Sequence, residues 1–197
     1  MKNPYRAYIK LLRLAWKLLS VQNMTLRQLI HSDIAAWARI WNSKPSLTFV
    51  YQYCGLRATV LYRISHALWR SRVPVLPGML FRLNITLHGF DVPPATVIGP
   101  GLYVPHPVGT VLSAERIGAN VTFISSITVG MRGEGEFPVI EDGVFVGAGA
   151  RILGKVTVGA GAKIGANAVV VKDVPAGATA VGVPAKIIAP EPARAAA

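Results

Sequence analysis

Four histidines occur in this chain, His31, His66, His88 and His106, and His106 has the stiffest setting, between prolines in Val104-Pro-His-Pro-Val-Gly109. Histidine titrates near neutrality, so an imidazole fixed on a rigid wall suits a general base. A base of this kind needs a partner to hold its tautomer, usually a carboxylate. Asp91, fifteen residues earlier, is the only acid between Asp33 and Glu115. The bland readings are a surface imidazole without a task and an aspartate that merely makes a turn. Spacing alone leaves both open. One cysteine, Cys54, and one histidine beyond residue 90 cannot supply the three histidines of a catalytic zinc centre from a single chain. No metal is expected.

The element that must carry His106 is a six-residue repeat running from Val97 to Val181. Ile98, Val104, Ile117, Phe123 and Val129 open one run of hexads, with a single extra residue between Val104 and Ile117. Ile140, Val146, Ile152, Val158, Ile164, Val170 and Ala176 open a second, evenly spaced run. A small residue usually follows the aliphatic, as at Gly118, Gly147 and Gly165. Another small or β-branched residue comes three further on, as at Val121, Ala150 and Ala162. A six-residue period fits neither an isolated helix nor stacked hairpins. It fits a coil in which each hexad makes one short flat side, the aliphatic inward and the small residue allowing the corner. Stacked coils then share one continuous core. Between Val129 and Ile140 five extra residues interrupt the period. They read as a loop ejected at 131–139, the kind of place where a repeat scaffold carries specificity.

Charge is divided very unevenly. Residues 1–90 hold 13 Lys/Arg against one acid, Asp33, whereas residues 91–197 hold 8 of each sign. A basic half suits nucleic acid, an anionic membrane or a phosphate-bearing substrate. No helix-turn-helix, RNP or zinc-finger pattern accompanies it, so nucleic acid is not an expected partner. Within residues 1–20, Arg6, Lys10, Arg13 and Lys17 recur at helical spacing among Leu11, Leu12, Leu14, Trp16, Leu18 and Leu19. A basic amphipathic helix of this kind either lies on an anionic membrane or packs on its own protein. Cations interrupt every candidate signal-peptide core, and the segment is too short and too charged to span a bilayer. A lone cysteine excludes an intrachain disulfide and suits a reducing compartment. The expectation is a cytoplasmic protein, peripheral at most on the inner face of the membrane.

Ahead of the repeat, Thr25 is placed to cap a helix reaching Ile40. Phe49–Arg72 reads as a second helical region broken or bent near Gly55, Pro77-Gly78 marks a turn, and Met79–His88 resumes as a short helix. After Gly182, Val183–Ile188 leaves the six-residue rhythm and is expected to cap the stack. The anticipated organisation is a basic helix at 1–23, a helical module at 24–90, the solenoid at 91–188 and a disordered tail at 189–197.

From about Ser32 to Ile188 the chain resembles the serine acetyltransferase branch of the hexapeptide-repeat acyltransferases. The likeness rests on Leu61-Tyr-Arg-Ile-Ser-His66, Phe90-Asp-Val-Pro-Pro94, Val104-Pro-His106 and Ser126-Ile-Thr-Val-Gly130. It continues through Val146-Gly-Ala-Gly-Ala-Arg-Ile-Leu-Gly154, Ile164-Gly-Ala-Asn-Ala-Val-Val170 and Val181-Gly-Val-Pro-Ala-Lys186. The resemblance implies a mainly β fold, a left-handed parallel β-helix behind a small α-helical N-terminal module. It also implies a homotrimer, with acetyl-CoA in the groove between adjacent solenoids. By the same likeness His106 deprotonates the acceptor hydroxyl and Asp91 orients the ring. Backbone amides near Gly130 stabilise the oxyanion, and Ala148, Ala166 and Lys186 meet CoA.

Two departures from the serine-specific pattern bear on the acceptor. Pro105 precedes His106 where those members carry Asp, and Glu136-Phe137-Pro138 closes the loop where they carry Arg-His-Pro. The carboxylate of free serine calls for a cation, yet Glu136 stands at the aligned position while Arg132 lies elsewhere in the loop. Arg132, Glu136 and Phe137 are therefore the candidate acceptor contacts. Short relatives that acetylate sugar hydroxyls in capsule, exopolysaccharide and colanic-acid assembly are nearest in pattern. The expected function is acetyl-CoA-dependent O-acetyl transfer to a sugar hydroxyl of a polysaccharide or its lipid-linked precursor. Serine O-acetyltransferase activity in cysteine biosynthesis is the alternative, and a non-catalytic trimeric scaffold is the reading from another class.

Overall fold

A computed structural model describes residues 24–189, so the expectations for residues 1–23 and for the tail beyond Ala189 lie outside the described residues. Four helices come first: α1 (Leu26–Ile40), α2 (Thr48–Gln52), α3 (Cys54–Arg70) and α4 (Leu76–His88). At the start of α1 the Thr25 hydroxyl accepts from the Gln28 N–H and the Gln28 side chain accepts from the Thr25 N–H, a reciprocal cap. The second helical region is broken rather than bent, into two helices, because Tyr53 is extended between them (φ −110°, ψ 116°). Pro77 and Gly78, expected in a turn, lie inside α4. Pro77 sits in the first turn, where its missing N–H leaves no helical bond unmade.

The repeat folds into a parallel β-helix with three flat faces. The first face stacks β1 (Phe90–Asp91), β2 (Thr110–Leu112), β5 (Thr128–Gly130), β8 (Arg151–Leu153) and β11 (Val169–Val170). The second stacks β3 (Arg116–Ile117), β6 (Val139–Ile140) and β9 (Thr157–Val158). The third stacks β4 (Thr122–Phe123), β7 (Phe145–Val146), β10 (Lys163–Ile164) and β12 (Thr179–Val181). Val183–Ile188 then turns back, and β13 (Lys186–Ile188) pairs antiparallel with β12, ending the parallel stack. Ile117, Phe123, Val129, Ile140, Val146, Ile152, Val158 and Ile164 are all 0% exposed. Each contributes roughly 1.5–3 kcal/mol by leaving water.

Three further expectations need correction. The fold is mixed rather than mainly β: helices of 15, 5, 17 and 13 residues face strands of only two or three, because most of each coil is turn. Ala176 does not point inward. Val158 pairs with Val174 and Ile164 with Ala180, so the last coil is two residues short and Ala176 falls on an exposed corner. The ejected loop ends at residue 138, because Val139 is recruited into β6 to pair with Arg116.

A buried ion pair fastens the helical module to the first coil. Arg63 donates from Nε and Nη2 to the Asp33 carboxylate at 2.9 and 3.1 Å, and to the carbonyls of Ile98 and Gly99 at 2.6 Å each. Asp33 Oδ1 also accepts the Leu102 N–H at 2.9 Å. Nearby, Tyr62 Oη donates to Thr96 O at 2.7 Å and His66 Nδ1 donates to Pro94 O at 2.8 Å.

Burial holds the His66 imidazole below its ordinary pKa. On acidification the unfolded chain takes up a proton that the folded chain resists, so stability is lost as pH falls below about 6.5. The thermal midpoint should therefore drop between about pH 7.5 and pH 5.5. His66→Gln should flatten that slope, and circular dichroism melts at the two pH values measure it.

Candidate active site

The corner that carries His106 is bulged. Inward positions Val104 and Leu112 are eight residues apart where six would serve, and Leu112 and Ile117 only five. The single surplus residue seen in the repeat is thus two extra at this corner less one at the next. His106 N–H reaches Ile124 O at 3.3 Å and its backbone bridges to Ser125 on the following coil, leaving the imidazole exposed. Helix α3 buttresses this corner through Gly55, which is buried against the carbonyls of Val104 and Pro105. A Cβ there would overlap the Val104 oxygen, which is backbone and cannot yield cheaply. Gly55→Ala should therefore displace the His106 corner. The expected result is a turnover loss larger than any change in acetyl-CoA affinity, read by steady-state kinetics beside equilibrium binding.

Asp91 lies on the strand that opens the coil His106 belongs to. It lies opposite Val111, and the Gly89 carbonyl accepts the Gly109 N–H at 3.0 Å. Phe90 pairs with Thr110, so the first coil is twenty residues long. Asp91 thus stands at the start of the coil that His106 nearly completes, stacked over Val111, five residues past the imidazole. Phe90 and Val92 point inward and Asp91 outward, half-buried, and burial raises its carboxyl above the ordinary value. Among the described residues no hydrogen bond joins the carboxylate to the ring.

Beside His106 opens a cleft of about 560 Å³ between α1 and the third face. Helix α1 and its C-cap contribute Trp37, Ile40 and Trp41; the solenoid contributes Tyr103, Pro105, His106, Thr122, Ile124 and Phe145. Trp37 meets Tyr103 edge-on at 4.7 Å, and its buried Nε1 has no hydrogen-bond partner among the described residues. The lining holds neither carboxylate nor guanidinium. Sequence reasoning missed this wall. Trp37 and Trp41 read as one apolar helix face, and nothing in their spacing tells a face buried in a core from one that borders a cavity.

The remaining candidates divide between two edges. Ser125 O accepts the Gly149 N–H and Ala148 O accepts the Asn167 N–H, so His106, Ser125, Ala148 and Ala166 follow one another along a single edge. Gly130 ends β5 with a Cβ direction that meets nothing nearer than 4.0 Å, so the fold does not itself demand glycine there. Lys186 is exposed in β13 at the far end of the stack. The 131–138 loop leaves from the opposite edge of the first face, between β5 and β6. Arg132, Glu136 and Phe137 are therefore not in the His106 cleft of their own chain. Among the described residues no three His, Cys, Asp or Glu gather as a metal site.

Residues 137–172 match the family model for bacterial transferase hexapeptide (six repeats). A serine acetyltransferase of Helicobacter pylori is 39% identical over 142 residues, covering 69% of this chain and 82% of that enzyme. The chain belongs to the serine acetyltransferase family. The serine acetyltransferase of Synechococcus elongatus is 35% identical over 140 residues, and the chain spans only 57% of that relative. Soybean serine acetyltransferase complexed with serine superposes with a TM-score of 0.77 at 34% identity, over 89% of this chain and 72% of that one. These relatives support the likeness to serine acetyltransferases and not the likeness to polysaccharide O-acetyltransferases.

Proposed function

We propose that this chain is an acetyl-CoA-dependent O-acetyltransferase of the serine type with His106 as its general base. The observation that carries this reading is the exposed imidazole on a cleft wall, at the edge where Ala148 and Ala166 follow. Small side chains along that edge let the pantetheine arm of CoA lie close. His106 takes the acceptor's hydroxyl proton as the oxygen attacks the thioester carbonyl. The tetrahedral adduct then collapses, the C–S bond breaks, and the imidazolium returns the proton to the departing sulfur. Asp91 orients the ring in the ternary complex, backbone amides near Gly130 receive the oxyanion, and Lys186 meets a CoA phosphate.

The coils wind left-handed and three chains associate, so that the 131–138 loop of one chain approaches the His106 of the next. The placement of loop and imidazole at opposite edges of one face supports that arrangement. Arg132 then meets the serine carboxylate, Glu136 its ammonium, and Phe137 closes the wall.

One observation favours a second acceptor. The uncharged, aromatic cleft beside His106 suits the C–H face of a pyranose better than a zwitterion, which makes a sugar hydroxyl the rival substrate. Thiol release from acetyl-CoA separates the two. Turnover with L-serine establishes the serine reading, and turnover only with a saccharide acceptor replaces it. Absence of both in a protein that fails to bind acetyl-CoA leaves a scaffold.

A further inference from the structure

No described helix is long and apolar enough to cross a membrane, yet α4 turns an apolar stripe outward. Leu76, Met79, Leu83 and Leu87 are 41%, 59%, 43% and 62% exposed and fall on one side of the helix. Val75, in the turn that leads into it, is 75% exposed. Exposed Arg70, Arg72 and Arg82 accompany the stripe. The one acid of the first 90 residues, Asp33, is buried against Arg63 and offers these cations nothing.

We propose that this face of α4 docks on a bilayer of anionic lipid, its leucines and methionine entering the acyl boundary while the arginines meet lipid phosphates. Charge selects the occupant. A second copy docking through the same face of α4 would set Arg72 and Arg82 against the same cations. Residues 1–23, with five cations and no acid, would meet them with like charge as well. An anionic lipid surface complements both features. A 13-residue helix is about 20 Å long, which suits lying in the interface and not spanning it.

Co-sedimentation of the full chain with vesicles tests this. Binding should be strong to vesicles of phosphatidylcholine with phosphatidylglycerol, weak to phosphatidylcholine alone, and reduced by salt. Met79→Glu with Leu83→Glu should cut partitioning at least tenfold while leaving the melting temperature and the turnover of a soluble acceptor in place. Arg72→Gln with Arg82→Gln should lower it about fivefold for each charge removed. Vesicle binding untouched by the Glu pair, or abolished only by deleting residues 1–23, overturns the assignment to α4. Failure to bind vesicles, with self-association that the Glu pair abolishes, overturns it in favour of a second copy.

Discussion

Replacing His106 with alanine should lower kcat/KM for acetyl transfer by about 10²–10⁴-fold while acetyl-CoA still binds. The imidazole is exposed at a bulged corner and holds no part of the core, so its removal leaves the coil intact. What is lost is a base positioned in the transition state, equivalent to about 3–5 kcal/mol of barrier. Residual turnover should survive, because holding donor and acceptor side by side remains effective without a base. Asp91→Asn should act on the same step with a smaller loss, since it would leave the ring present but poorly oriented. Steady-state thiol release beside calorimetric binding of acetyl-CoA checks both. An alanine variant that keeps more than a tenth of wild-type kcat/KM would remove His106 from the mechanism.

The second large effect is on stability. Asp33→Ala should destabilise the fold by about 3–5 kcal/mol, because it strands the Arg63 guanidinium in the interior. Arg63 is 1% exposed and makes every contact inside the protein, to Asp33 and to the carbonyls of Ile98 and Gly99. Against a typical total of about 5–15 kcal/mol, that loss brings the protein close to unfolding at physiological temperature. The urea midpoint should fall by about 1 M or more. The variant should also lose activity before it unfolds globally, since the same pair holds α1, and with it Trp37 and Trp41, over the cleft. Changing both partners to apolar residues, Asp33→Leu with Arg63→Met, should recover much of the loss, because no unpaired charge then remains. If the single variant melted like wild type, the ion pair would not be what fastens the module.

The stacked coil was legible in the residues because its inward positions are decided locally. Branched aliphatics every six residues, with glycine or alanine at the corners, admit one way of burying themselves, and Ile140 through Val170 keep that register with at most 1% exposure. Thr25 as a helix cap was equally local. Two boundaries were misread for local reasons too: Pro77 serves a helix start as readily as a turn, and Ala176 keeps the period although its coil is two residues short.

The site was decided elsewhere. His106 and Asp91 stood out by type, but that the strand of Asp91 stacks on the strand following His106 is decided by a first coil of twenty residues. Its length is set by hydrogen bonds between coils, as from Gly109 to Gly89, and not by the identities of the residues at the corner. The aromatic wall beside the imidazole likewise depends on distant pairing, since Asp33 and Arg63, thirty residues apart, join α1 to α3 and to the first coil. Periodicity fixes which side chains go inward, whereas the pairing of distant segments fixes which outward ones meet.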